Sequence, residues 1–260
     1  MHSRHLADLR ASEVAGRITG QAIFVLPVGA VEQHGDHLPL STDLLIAESC
    51  AESVVAERGE ELDLWLLPSL PYTKSNEHAW SAGTIWLGPQ TMLALLDDIG
   101  RSIAATQGRK IVFVNGHGGN TALLNVACRE LRLCHGLMTF LMHPSVPPDH
   151  GGAASADEEG MGIHSGKEET SMVLHLRPDL VDMNLATSNI PKWLGRNSQV
   201  RFGGEASFGW LSNDFGPSGV IGDPTGATAE LGAELFTEAV RKLGEAMKEV
   251  ASFELPVVGG

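Results

Sequence analysis

The chain has 260 residues, 43% of them hydrophobic, with 32 acidic against 18 basic residues and a formal net charge of −14. That length and apolar share provide for a sizeable core and exclude an intrinsically disordered chain. No run of Lys and Arg is present to neutralise phosphates, so nucleic acid is not an expected partner, and most of the acidic excess reads as solvated surface.

Residues 1–16 are polar and lack the apolar stretch of a signal peptide. The longest apolar run, residues 22–31, is far short of the ~20 residues that span a bilayer. The cysteines, Cys50, Cys128 and Cys134, are too sparse for a disulfide framework. A cytoplasmic protein without membrane contact is expected.

Residues 22–28 form a continuous apolar run ending at Gly29, the pattern of a buried parallel strand. Thr42 opens a helical pattern to about residue 58, with Gly59 as its stop. A short strand is predicted at 64–67, a helix at 90–108 and a strand at 110–114. A helix at 121–133, with Asn120 as its N-cap, and a strand at 137–142 follow. This alternation predicts an open, mostly parallel α/β sheet. It breaks at about residues 143–168, which are rich in Pro and Gly and read as a lid-like loop over the site. Helical character resumes at 168–176, residues 202–223 are irregular, and 227–251 form a long final helix. With no repeat and no strong linker, one domain spanning residues 1–260 is expected.

Glu32 and His34 follow the first strand, where an open α/β sheet gathers its ligands. At alternate positions of an extended segment they project to the same side. Asp43 falls in the first turn of a helix, where the dipole favours a carboxylate. One imidazole with two carboxylates suits Zn²⁺, Mn²⁺ or Fe²⁺; the plain alternative is a helix start with an acidic first turn. His117 sits within Asn115-Gly116-His117-Gly118-Gly119-Asn120, a turn in which nothing structural requires an imidazole. The GxGxxG and P-loop spacings are absent, which argues against a nucleotide. His164 ends the irregular loop, and Glu169 lies on the helix after it, where carboxylates also occur for stability alone. Glu77 and His78 are adjacent and would diverge in a strand, so at most one of them is expected to face the site. Trp65, Trp80 and Trp86 read as core residues, whereas Trp210 and Phe215 could line a pocket or an oligomer contact.

Four segments, in order, resemble the creatininase family of metal-dependent amidohydrolases: E-x-H with a downstream Asp (residues 32–43), S-x-E-H…G-T (75–84), N-G-H-G-G-N (115–120) and H-x-G-x-x-E-T-S (164–171). Residues 219–224 are similar to its C-terminal segment. The resemblance implies a three-layer α/β/α sandwich, a homo-oligomer (commonly a hexamer) and two divalent ions per chain, Zn, Mn or Fe. Glu32 and His117 would bind one ion and His34 the other, with Asp43 as the bridge. The implied activity is cleavage of a C–N bond in a small, cyclic amide by metal-activated water. Creatininases proper carry a metal-binding Glu where this chain has Gly119, a glycine shared by many relatives. Glu169 is therefore the candidate fifth ligand. Residues 144–168 also lack the tryptophans of the creatininase lid, and both departures point away from creatinine itself. Ser75, Gly118, Gly119 and His164 are the expected substrate contacts. His164 on its flexible loop is the expected general acid, and Glu169 is also a catalytic candidate. Alternatives within the family are a formamide deformylase and a peptide-trimming peptidase; outside it, a metal- or ligand-binding protein without turnover.

Overall fold

The computed structural model describes residues 3–145, 158 and 160–256. Among these, β1 (Ile23–Val28), β2 (Leu64–Leu66), β3 (Lys110–Asn115) and β4 (Met138–Met142) form one parallel sheet in the order β2-β1-β3-β4. The helices are α1 (Ala11–Arg17), α2 (Thr42–Leu62), α3 (Pro89–Ala104), α4 (Thr121–His135), α5 (Lys167–Leu176) and α6 (Ala229–Ser252).

The strands β1, β2 and β3 are buried along their whole length, which explains their unbroken apolar runs. Ile23, Val25, Leu64, Leu66, Val112 and Val114 pack on one side with residues of α2, α5 and α6. Phe24, Leu26, Trp65, Ile111 and Phe113 pack on the other with residues of α3 and α4. The result is the expected three-layer α/β/α sandwich. A third apolar cluster holds Met161, Leu194, Phe202, Phe215 and Ile221, with Phe208 and Trp210 against it. No helix among the described residues is long and apolar enough to cross a membrane.

Two glycines bring α2 to the strand ends. A Cβ on Gly29 would lie 2.3 Å from the Leu44 Cα, and one on Gly116 would lie 2.4 Å from the Asp43 carbonyl oxygen. Only without those side chains can the first turn of α2 rest against the ends of β1 and β3, and this placement puts Asp43 there.

Several local expectations are corrected. Helix α2 runs through Gly59 and ends at Asp63, which takes a left-handed conformation with φ 53. The Asp63 carboxylate accepts from Arg4 Nη1 at 2.8 Å, Trp65 Nε1 at 2.9 Å and Thr19 Oγ1 at 2.9 Å. Those bonds hold an aspartate in the conformation that glycine usually supplies. Helix α3 stops at Ala104, well before residue 108. Asn120 precedes α4 but does not cap it with its side chain. Its Nδ2 donates to the Gly29 carbonyl and to Asn115 Oδ1, and its Oδ1 accepts from Lys74 N, so it ties the site's segments together. Trp65 is buried, but Trp80 and Trp86 are 39% and 45% exposed, because they lie outside the sandwich, Trp80 in a turn and Trp86 in an isolated bridge to Thr73. Helix α1 was not anticipated; its Val14 packs against the α3–α4 side of the core. The expected lid falls largely on residues 146–157 and 159, which lie outside the described residues.

Lys110 opens β3 and is buried. Its Nζ donates to the carbonyls of Val250 and Ala251 at 2.8 and 2.7 Å, placing a cation at the C-terminal end of α6. Lys110→Met leaves those carbonyls without their charged donor and should cost about 2 kcal/mol. Urea unfolding checks this as a lower midpoint with an unchanged slope.

Candidate metal centre

The segment after β1 carries Glu32, Gln33 and His34. It is fixed by a bond from Glu32 N to the Leu40 carbonyl and by one from Ile85 N to the Val31 carbonyl, both 2.9 Å. Asp43 comes from the first turn of α2, His117 from the turn between β3 and α4, and Glu169 from the first turn of α5. His164 is pinned to Ile221 by an antiparallel bridge, a firmer mounting than the flexible loop expected from sequence. Glu32, His34, Asp43, His117 and His164 are all buried, and Glu169 is partly exposed.

Among the described residues, the side chains form three overlapping groups that could hold a metal ion: Glu32, Asp43 and His117; His34, Asp43 and Glu169; and Glu32, His34 and His164. Within the first, His117 Nδ1 lies 3.0 Å from Asp43 Oδ2 and 3.3 Å from Glu32 Oε2. Within the second, His34 Nε2 lies 3.0 Å from Asp43 Oδ1 and 4.0 Å from Glu169 Oε2. Tetrahedral ligands at about 2.1 Å from an ion sit about 3.4 Å apart, so most of these spacings fit a shared ion. The two oxygens of Asp43 face different imidazoles, which is the geometry of a bridge.

The backbone fixes the faces of the rings. His34 Nδ1 lies 3.2 Å from the Glu32 carbonyl, His117 Nε2 lies 3.0 Å from the Lys74 carbonyl, and His164 Nε2 lies 2.8 Å from the Gln33 carbonyl. A carbonyl only accepts, so each of those nitrogens carries the hydrogen. In the neutral ring the other nitrogen then presents a lone pair to the carboxylates. Metal-ligating histidines are held in this way. Among the described residues, Glu32 Oε1 and Asp43 Oδ2 are buried and find no hydrogen-bond partner. Orphaned carboxylate oxygens facing imidazole lone pairs fit a cation, and this mixed nitrogen and oxygen set suits Zn²⁺, Mn²⁺ or Fe²⁺.

The electrostatics agree. Burial works against a charge on His34, but Asp43, Glu169 and Glu32 outweigh it and raise its pKa to about 9. Burial likewise opposes charge on His117, while Glu32, Asp43 and Glu77 carry it well above its ordinary value. Burial raises the Glu32 carboxyl. The Asp43 carboxyl is held far below the usual range despite its burial, by His34 and His117. Burial, with Asp43 and Glu32 nearby, pushes Glu169 up to about 7. His164 and His78 are lowered well below the ordinary histidine value, first by burial and then by neighbouring histidines.

Some residues do other work than the sequence suggested. Ser75 is buried behind Glu32 and donates to its Oε2 at 2.5 Å, so it holds a carboxylate instead of facing the cavity. Glu77 and His78 lie in a 3-10 turn, Asn76–His78, and both border the cavity. Gln33 was missed altogether. Its Nε2 donates to His78 Nδ1 at 2.9 Å, its Oε1 accepts from Gly35 N at 3.0 Å, and its own carbonyl holds His164. The only signal for it was its place between two candidate ligands. His37 supports the site from outside, with Nε2 3.0 Å from Thr170 Oγ1. Gly118, Gly119, His164 and Glu169 line a cavity of about 230 Å³ that Phe208 and Trp210 also border.

An imidazole that binds an ion must first give up its proton. His34, raised to about 9, holds its proton through neutral pH, and His117 is raised well above the ordinary histidine value, so ion uptake by these rings releases protons. Apparent affinity for Zn²⁺ or Mn²⁺ should therefore rise from about pH 6 to about pH 8 and level off above about pH 9. Competition with a chromophoric chelator at each pH checks this; a flat profile contradicts it.

The family profile described as creatinine amidohydrolase matches residues 7–247. The chain is similar to the mycofactocin precursor peptide peptidase of Mycolicibacterium smegmatis, 37% identical over 227 residues that cover 86% of this chain and 83% of that one. The peptidase of the same name from Mycobacterium ulcerans is 36% identical over 222 residues, covering 83% and 80%. The creatinine amidohydrolase of Pseudomonas putida is 30% identical over 204 residues, covering 72% and 76%. Among solved structures, a creatinine amidohydrolase matches with a TM-score of 0.74 at 24% identity, over 98% of this chain and 100% of that one. A creatininase mutant in complex with creatine matches with a TM-score of 0.73 at 25% identity, over 96% and 99%. The peptidases exceed the Pseudomonas enzyme in identity, in keeping with a chain that is not a creatininase proper. With its sandwich fold, its four ordered motifs and this match over most of its length, the chain belongs to the creatininase family of hydrolases.

Proposed function

We propose that the chain is a divalent-metal-dependent amidohydrolase that cleaves a C–N bond of a small amide. One observation carries this reading: three imidazoles turn their free nitrogens toward three carboxylates, and two of the carboxylate oxygens are buried without a hydrogen-bond partner. Glu32, Asp43 and His117 would hold one ion, and His34, Asp43 and Glu169 the other, with His164 beside Glu32. The ions supply Lewis acidity, to water and to an amide carbonyl.

The chain's own residues supply the rest. Ser75 fixes the orientation of Glu32. Gly118 and Gly119 border the cavity, and the N–H groups of their turn are the candidates to meet the developing oxyanion. His164 has its N–H committed to the Gln33 carbonyl and is held neutral, which removes it from proton delivery. Glu169 borders the cavity with its Oε2 accepting from Ser165 N at 2.6 Å, which would orient it as an ionised ligand of the second ion.

The cavity of about 230 Å³ admits a small molecule or the end of a chain, not a folded segment. A second reading, trimming the end of a peptide, is favoured by the two peptide peptidases at 36% and 37% identity. Exposed Leu40, Tyr72, Trp80, Ile85 and Trp86 support self-association into a homo-oligomer, and the free cysteines support a reducing cytoplasm.

Chelation should abolish hydrolysis, and Mn²⁺ or Zn²⁺ should restore it, across a panel of cyclic amides, formamides and short peptides. His117→Ala should remove about one ion per chain and reduce turnover to background. Full activity in rigorously metal-free protein sinks the reading, and the preferred member of the panel decides between amide and peptide.

A further inference from the structure

Gly119 lies in the turn that carries His117, and a carboxylate from another part of the chain fills the space a side chain there would take. A Cβ on Gly119 would lie 1.7 Å from Glu77 Oε1 and 2.4 Å from His117 Nε2. Glu77 Oε1 lies 3.2 Å from His117 Nε2, and Glu77 is buried. Its other oxygen, Oε2, accepts from Lys74 Nζ at 2.7 Å. The turn that carries it is braced from the opposite side: Ser212 Oγ donates to the Glu77 carbonyl at 3.2 Å, and Trp80 Nε1 donates to Ser212 Oγ at 2.7 Å.

Glu77 belongs to none of the three groups that could hold an ion. It meets His117 at Nε2, the nitrogen opposite the one that faces Glu32 and Asp43. The Nε2–H lies within reach of two acceptors, the Lys74 carbonyl and the Glu77 carboxylate. The carbonyl alone is enough to set the tautomer. An anion adds something the carbonyl does not: it pushes electron density through the ring and makes Nδ1 a stronger donor.

We propose that Glu77 is the positioning carboxylate of His117, and that position 119 is glycine in this chain so that Glu77 can reach it. Lys74 clamps the carboxylate in place and restrains its rotation. In this chain the carboxylate acts on the ligand from behind. The proposal rests on His117 being a metal ligand.

The test measures ion binding instead of turnover. Glu77→Gln keeps the shape and removes the charge; Glu77→Ala removes the contact. Circular dichroism of each metal-free variant establishes folding, and Glu77→Gln decides the case if the alanine variant fails to fold. Chelator competition with Mn²⁺ and Zn²⁺ should show affinity at one site weakened about 10- to 100-fold with stoichiometry retained. The visible spectrum of the Co²⁺-loaded protein should shift, because the donor strength of His117 has changed. Affinity within about twofold of the parent, with an unshifted Co²⁺ spectrum, overturns the proposal. Loss of a whole ion in Glu77→Gln overturns it too, in favour of direct ligation by Glu77. His117→Ala run alongside separates the two levels. If that variant keeps every ion, the metal-ligand reading of His117 has failed; if it loses one while Glu77→Gln is unchanged, only the role of Glu77 has.

Discussion

Buried carboxylates need positive charge, and the organisation of this molecule follows from where two of them sit. Glu32 and Asp43 are almost fully enclosed, and with neutral rings beside them each leaves an oxygen without a hydrogen-bond partner among the described residues. An uncompensated buried ion costs on the order of several kcal/mol even after relaxation. The surrounding residues meet that demand in part. Ser75 donates to Glu32, and the imidazoles of His34 and His117 hold protons well above their ordinary range. Because backbone carbonyls occupy the far nitrogens of His34, His117 and His164, the compensating charge can enter only from the carboxylate side.

This arrangement depends on close backbone approach. Strands β1 and β3 lie side by side in register, so the turns that follow them emerge together. Gly29 and Gly116 let the first turn of α2 settle on those turns, and Asp43 arrives between the two imidazoles that it faces. Asn120 then bonds to the Gly29 carbonyl, Asn115 and Lys74, linking the β1 end, the β3 end and the segment that carries Ser75 and Glu77. Apolar packing on both faces of the sheet holds this frame, and the third cluster, around Phe202 and Phe215, lies beside the Phe208 and Trp210 wall of the cavity.

The strands were legible because burial on both faces writes itself as an unbroken apolar run. Glu32, His34, Asp43 and His117 were legible because spacing and position at strand ends set them on one side. Glu77 and His78 were misjudged for a geometric reason. Adjacent side chains point in opposite directions in a strand, whereas in a 3-10 turn of about three residues per turn they differ by only about 120°. Both therefore reach the cavity. Gln33 was invisible because its role lies in contacts with His78 and His164, far away in the chain. The end of α2 was misplaced because Asp63 uses side-chain bonds to Arg4, Thr19 and Trp65, which no local pattern announces. The exposure of Trp80 and Trp86 was equally hidden, since an aromatic on a surface segment and one in a core look alike in sequence.

The three carbonyl-bound imidazoles bear on the order in which the molecule is assembled. Main-chain geometry already selects their tautomers, so no ion is required to organise the rings. Protons on His34 and His117 occupy the electrostatic place of the cations and let the sandwich close around acidic side chains. On the proposed reading, loading would exchange these protons for metal at rings that the main chain already orients.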